Sequence, residues 1–154
     1  MAAFFLDSSG LVKRFVSEKG SGFVIGLVKP SNRHSIYLAR LTSVEVVSAI
    51  TRRKNIGSLT VITANKAIAR FERTLQNRYA FVEVNESLTN KAIDLAKKHG
   101  LRGYDAVQLA AALQVDSKRI SIGASAITFI SADNNLNNAA TAEGLLIDNP
   151  NNYP

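Results

Sequence analysis

Four carboxylates stand where a predicted parallel sheet would bring side chains together. Asp7 directly follows the first predicted strand, and Asp133 follows the fourth predicted strand by two residues. Glu45 lies in the first turn of the helix after the second strand, and Asp105 opens a later helix. Ligands of open parallel sheets sit at the carboxyl ends of the strands. The pattern therefore predicts one acidic site at that edge.

Carboxylates gathered in this way suit a hard divalent cation. Magnesium takes oxygen ligands and keeps several waters. Such an ion activates a water molecule and neutralises charge on a phosphoryl oxygen. Without a cation, neighbouring carboxylates would repel one another and raise one another's pKa. The sequence thus predicts a magnesium or manganese site.

Each of these acids also has a purely structural explanation. Thr42-Ser43-Val44-Glu45 has the form of a capping box, in which Glu45 bonds back to its own helix start. Asp105 and Asp133 would favour helix N-termini, and Asp7 could hold the following Ser-Ser-Gly turn. Any one acid taken alone fits this alternative. Three of the acids (Asp7, Glu45 and Asp133) follow strands in the same way, and the helix that begins at Asp105 could bring the fourth to the same edge, which favours a site.

Short apolar runs alternate with longer amphipathic segments, which predicts a parallel sheet with helices on both faces. One helix, 104–115, has small or apolar residues on nearly every side and is predicted to be buried all round. Segment 116–126 is predicted to be irregular, and 149–154 to be a loose tail beyond a domain spanning 1–148. The predicted strands are 2–6, 36–39, 81–84, 127–131 and 145–147, and the helices are 11–15, 22–28, 42–54, 63–78, 87–99, 104–115 and 134–142.

Composition excludes several classes of protein. The 154 residues contain no cysteine, which rules out disulfides, zinc–thiolate sites and a cysteine nucleophile. No run approaches the roughly 18 apolar residues of a membrane span, and the start is a poor signal peptide, so a cytoplasmic location is expected. The two histidines have no catalytic context, and no glycine-rich phosphate loop is present.

Basic residues exceed acidic ones by 19 to 12, a formal charge of +7 that favours a polyanionic partner. Lys13, Arg14 and Arg102 lie close in sequence to the acids and are candidates for binding the phosphates of a nucleic acid. The run 52–54 (Arg-Arg-Lys) is better explained as a solvated helix end.

Four segments, in order along the chain, resemble the motifs of a known family. They read FLDSSGLVKRF at 5–15, LTSVEVVSAI at 41–50, LRGYDAVQLA at 101–110 and FISAD at 129–133. Together they resemble the motifs of PIN-domain ribonucleases of the VapC toxin type, and they span nearly the whole chain. Two departures are modest: Gly10 stands where alanine is commoner, and segment 116–126 looks longer than usual.

The resemblance implies a three-layer α/β PIN-like fold with a five-stranded parallel sheet. It implies acidic ligands for magnesium or manganese at Asp7, Glu45, Asp105 and Asp133, with Ser9 as the accompanying hydroxyl residue. In this family, a metal-activated water attacks an RNA phosphodiester and leaves 3′-hydroxyl and 5′-phosphate ends. The resemblance also implies a toxin of a type II toxin–antitoxin pair, a small antitoxin that occupies the site, and a homodimer.

Two alternatives remain open at this point. A PIN-like module could bind RNA or protein without cutting, although such a module need not keep four acids. A hydrolase of DNA or of another phosphate ester could use the same metals.

Overall fold

The computed structural model describes residues 1–154 and contains one five-stranded sheet. All neighbouring strands are parallel, and their order across the sheet is β3-β2-β1-β4-β5. The predicted parallel α/β sheet is confirmed. Its strands are β1 (Ala3–Leu6), β2 (Ser35–Ala39), β3 (Ala80–Val82), β4 (Thr128–Ile130) and β5 (Leu146–Asp148).

Seven α-helices connect and cover the strands. None of them combines the length and the hydrophobicity needed to span a bilayer. Single 3₁₀ turns lie at Val12–Arg14, Pro30–Asn32 and Pro150–Asn152. The helices are α1 (Ser8–Leu11), α2 (Ser21–Leu27), α3 (Thr42–Asn55), α4 (Val61–Leu75), α5 (Glu86–His99), α6 (Gly103–Ser121) and α7 (Asn134–Ala142).

Two hydrophobic cores lie on opposite faces of the sheet, because successive strand residues point to opposite sides. Phe5 and Phe129 face α5, α6 and α7 and stack with 5.9 Å between ring centroids. Leu6 and Ile130 face α1 to α4. The result is the predicted three-layer arrangement. The prediction that α6 is buried nearly all round is also confirmed, since Leu109 and the three alanines after it are fully buried.

Segment 116–126 is only partly irregular, because α6 continues through its first half to Ser121 and only residues 122–126 lack regular structure. Asp116 Oδ1 accepts from the Ile127 N–H at 2.9 Å and fixes the start of β4. Arg119 donates to Ser125 O at 2.7 Å and to Tyr37 Oη at 3.1 Å. These contacts stabilise the last turns of α6, where the serine residues have only a weak intrinsic preference for helix.

The C-terminal segment 149–154 is docked, so the expectation of a loose tail is wrong. The Phe23 and Tyr153 rings stack with 4.0 Å between centroids, and Tyr153 Oη donates to Asp148 Oδ2 at 2.9 Å. Pro150 packs against Gly20, whose φ of +83° and close contact leave no room for a side chain. The tail thereby covers α2.

Gly10 is required by its contact with β4. A Cβ at this position would lie 2.7 Å from the Ile130 carbonyl oxygen. We expect Gly10→Ala to lower the free energy of unfolding by about 1–3 kcal/mol, because backbone must move. Urea denaturation would measure the change. Gly26→Ala is the control, since a Cβ there meets nothing within 4 Å, and it should be neutral or slightly stabilising. Equal stabilities for the two variants would contradict this account.

Candidate active site at the carboxyl edge of the sheet

The order of the strands reverses between β1 and β4. This position is the switch point of the sheet, because the chain extends from it to one side through β2 and β3 and to the other through β4 and β5. Crevices outside the carboxyl ends of such strands are the usual ligand sites of parallel sheets. Asp7 follows β1 and Asp133 caps α7 after β4. Glu45 lies in the first turn of α3, and Asp105 in the first turn of α6.

Asp7 is buried, with 3% of its surface exposed, and is held by donors from two strand ends. The Gly10 N–H donates to Oδ1 at 2.8 Å, and Ser131 Oγ donates to Oδ2 at 3.0 Å. Ser9 Oγ lies 2.8 and 2.9 Å from the two carboxylate oxygens. Asp7 therefore holds the turn that follows it, as its structural explanation predicted, and it also lies at the carboxyl edge of the sheet.

Ser9 and Ser131 tie the first acidic motif to the last. Ser9 Oγ accepts from the Ala132 N–H at 2.9 Å. Ser131 Oγ accepts from the Asp133 N–H at 3.1 Å. The two hydroxyls thus join Asp7 to the loop that carries Asp133. Both hold the carboxylate of Asp7 in one orientation.

Glu45 does not form the capping box that its sequence suggests, because the N-cap residue is Leu41 and no side chain caps the helix. Its two oxygens accept instead from Ser8 Oγ at 3.0 Å and from Gln108 Nε2 at 2.7 Å. Gln108 lies one turn after Asp105 in the buried helix α6, so it links the second motif to the third. Its Oε1 is buried without a hydrogen-bond partner.

Asp133 does perform the capping role, since Oδ1 accepts from the N–H groups of Asn135 and Leu136. Asp105 caps nothing, because Arg102 holds the N-cap position of α6. Helix capping therefore applies to Asp133 and not to Asp105, whose carboxylate nevertheless lies in the first turn of α6, where a negative charge favours the helix N-terminus.

The acids influence one another electrostatically in a chain. Burial, with a smaller contribution from Glu45, raises the pKa of Asp7 to about 7, although the hydrogen bonds from Gly10, Ser9 and Ser131 lower it. Burial also raises the pKa of Glu45, with a contribution from Asp105. The pKa of Asp105 is raised by burial and then by Asp133, while Arg102 opposes the rise.

Convergence of the acids is incomplete. No three acidic or histidine side chains come close enough together in this structure to hold a metal ion between them. The chemistry of the donors nevertheless fits a hard cation, since all are carboxylates and none of the four makes an ion pair. Buried carboxylates without a counter-charge are costly, and a cation would relieve that cost.

A groove of about 600 Å³ opens beside these residues. Of the four candidate ligands only Glu45 lines it, beside Ser8 and Ser9. Arg52 and Tyr104 also line it, and 67% of the surface of Tyr104 is exposed. Sequence reasoning assigned Arg52 to a solvated helix end and passed over Tyr104. The position of Tyr104 next to Asp105 was the available signal.

Two of the three candidate RNA-binding residues have protein partners. Lys13 lines the groove but is buried, with its Nζ 3.2 Å from Glu18 Oε1 and 2.8 Å from Lys19 O. Arg14 Nη1 donates to Tyr79 Oη at 2.7 Å and lines a different cleft. Arg102 is exposed and within electrostatic reach of Asp105.

The sequence matches the family model of the PIN domain over residues 4–142. The chain belongs to the PIN-domain family. The match includes all four acidic motifs, so the predicted resemblance to this family is confirmed. A comparison with curated proteins finds no significant match.

Solved structures share the fold of this PIN domain. FitAcB from Neisseria gonorrhoeae is 17% identical with a TM-score of 0.63, covering 96% of this chain and 97% of that one. The sarcin-ricin loop cleaving toxin VapC20 from Mycobacterium tuberculosis is 16% identical with a TM-score of 0.61, covering 98% and 99%. VapBC2 from Rickettsia felis, bound to a fragment of its promoter DNA, is 11% identical with a TM-score of 0.59, covering 96% and 98%.

The raised pKa of Asp7 predicts a pH dependence of the metal-free protein. Because the folded pKa is about 7 against an ordinary 3.8, this group's stabilisation is fully present below about pH 3.8 and is lost as pH rises through 7. In EDTA, the free energy of unfolding of wild type should fall by about 2–3 kcal/mol between about pH 5 and pH 8, relative to Asp7→Asn. Denaturant titrations would measure both curves. Parallel curves would show that Asp7 titrates as an ordinary carboxyl.

Proposed function

We propose that this PIN domain is a metal-dependent endoribonuclease that acts as the toxin of a type II toxin–antitoxin pair. The observation that carries the proposal is the set of four carboxylates at the switch point of the sheet, none of them paired with a cation. Membership of the PIN-domain family supports it. So does the shared fold with a toxin described as cleaving the sarcin-ricin loop.

Asp7, Glu45, Asp105 and Asp133 would hold magnesium or manganese. Bound there, the ion would lower the pKa of a bound water and neutralise charge on a phosphoryl oxygen. Ser9 and Ser131 orient Asp7, and Gln108 orients Glu45. To share one ion, the four carboxylates would have to lie closer together than they do in this structure.

The groove beside the acids would receive RNA. Arg52 and the exposed Arg102 offer charge to phosphates, and the exposed ring of Tyr104 offers a surface on which a base can stack. Lys13 contributes as a structural residue that anchors the groove wall through Glu18. Arg14 would act outside the groove.

The toxin role implies a small antitoxin that covers the groove, and a homodimer. Complexes of related fold, VapBC2 and FitAB, are described as bound to DNA fragments, which supports an antitoxin partner for this chain. The alternative is a PIN-like module that binds RNA or protein without cutting. The separation of the carboxylates is the observation that favours it.

Cleavage of structured RNA should require magnesium or manganese and stop in EDTA. Asp105→Asn should lower the cleavage rate by at least about 100-fold, because it removes a metal ligand while keeping the shape of the side chain. Asp94→Asn is the control, since Asp94 is exposed on α5 and remote from the acids. Cleavage would be followed by gel electrophoresis of labelled RNA.

Thermal melts supply a second readout that does not depend on finding the right RNA. Magnesium should raise the melting temperature of wild type and Asp94→Asn by mass action, and raise that of Asp105→Asn less. Full activity in chelator would end the metal hypothesis. Binding of RNA without cleavage at any metal concentration would establish the non-cleaving alternative.

Tyr104→Ala should raise KM for RNA by roughly 10-fold or more, because stacking of one base is worth about 1–3 kcal/mol. The value of kcat should change less, since Tyr104 holds no metal. Tyr104→Phe keeps the aromatic face and should restore KM to near the wild-type value. If Tyr104→Phe is as impaired as Tyr104→Ala, the ring does not stack on a base.

A further inference from the structure

The amino edge of the sheet carries a concentration of positive charge. Lys29 and Arg33 lie just before β2, and Arg78 lies just before β3. Because the strands are parallel, this edge is opposite to the one that carries the acidic residues. Arg70 and Arg73, one turn apart at the end of α4, and Arg14 extend the charge along the neighbouring helix layer. These six residues are called the basic strip below.

The six residues of the basic strip line two clefts, and one hydrogen bond connects the clefts. The first has a volume of about 280 Å³ and is lined by Lys29, Arg33, Arg78 and Tyr79 among others. The second has a volume of about 220 Å³ and is lined by Arg14, Arg70 and Arg73 together with Phe15 and Thr74. Arg14 Nη1 donates to Tyr79 Oη at 2.7 Å, which connects the clefts.

The charge of the basic strip is not neutralised within the protein. None of its six residues lies within 4.0 Å of a carboxylate oxygen, and no acidic side chain lines either cleft. Some basic residues elsewhere have acidic partners, such as Lys13 and Arg53 with Glu18, and others do not; what distinguishes the basic strip is that its unpaired residues line two adjoining clefts. Neighbouring positive charges that have no acidic partner favour the binding of a ligand that carries several negative charges.

The chemistry of the basic strip favours nucleic acid over a membrane surface. Arginine predominates, and its planar guanidinium recognises phosphate through two parallel hydrogen bonds. The rings of Phe15 and Tyr79 lie beside the guanidinium of Arg14. A membrane-binding face would carry exposed apolar side chains, and none of the exposed large apolar residues lines either cleft.

We propose that the basic strip is a second RNA-binding surface, which holds the phosphates of an RNA whose scissile segment lies in the acidic groove. The choice of RNA rests on the proposed function. Strands of 3 to 5 residues separate the two edges by roughly 10–17 Å. A dinucleotide whose single phosphodiester lies in the groove would not reach the basic strip, whereas a structured RNA would contact both.

The test variant combines Arg33→Asn, Arg70→Gln and Arg73→Gln. All three arginines are exposed, and asparagine tolerates the φ of +52° at position 33. Arg14 and Arg78 stay unchanged because they donate to Tyr79 Oη and Val28 O and support the fold. The control variant removes the same charge from exposed lysines on α5 and α6 through Lys91→Gln, Lys97→Gln and Lys118→Gln.

Binding of a labelled stem–loop RNA would be measured in EDTA by fluorescence anisotropy over a series of salt concentrations. We expect the test variant to bind at least about 10-fold more weakly than the control, and its log Kd to depend on log salt with a slope lower by about 2–3, from three lost phosphate contacts. With metal, cleavage of a dinucleotide should be the same for both variants. Circular dichroism and melting would verify that both are folded.

Equal weakening in both variants would overturn the inference, because net charge alone would then explain RNA binding. Unchanged RNA binding in the test variant would also overturn it, whether or not binding to anionic phosphatidylglycerol vesicles is lost. If the wild type binds RNA through the basic strip but cleaves no RNA, the inference is sustained and the proposed function is overturned.

Discussion

The carboxylate of Asp7 is enclosed between the ends of β1 and β4, and no cation partners it. A buried charge without a counter-charge must be held by hydrogen-bond donors. Those donors are the Gly10 N–H and the hydroxyls of Ser9 and Ser131. Helix α1 must therefore begin at once after β1, and residue 10 must be glycine so that this turn can touch the Ile130 carbonyl. The close junction of β1, α1 and β4 follows from this arrangement.

The parallel sheet separates the two signs of charge. Every strand runs in the same direction, so residues that follow strands collect at one edge and residues that precede them collect at the other. Asp7 and Asp133 belong to the first group, and Arg33 and Arg78 to the second. An overall charge of +7 thus coexists with a negative site. A polyanion is attracted to the protein as a whole, while the acidic edge remains available to a cation.

Capping contacts and electrostatic influence on the neighbouring acids combine in the same residues. Asp133 caps α7 and also raises the pKa of Asp105 across the site. Glu45 has the spacing of a capping box, yet its carboxylate turns to Ser8 and Gln108. The difference arises because Gln108, brought in by the buried helix α6, offers a donor that the local sequence around Glu45 does not contain. Capping patterns are therefore no argument against a site.

The sequence alone determined the alternation of strands and helices and the parallel sheet, because these follow from periodicity. It also determined where Asp7, Glu45, Asp105 and Asp133 lie relative to the strands and helices, because that follows from position along the chain. Tertiary structure alone decided which charges remain unpaired. Lys13 is neutralised by Glu18, whereas Arg52 reaches the groove and the arginines of α4 stay free. It also fixed the tail through the stacking of Phe23 on Tyr153. The stacked rings belong to residues far apart in sequence, and local spacing does not predict distances that are set by packing.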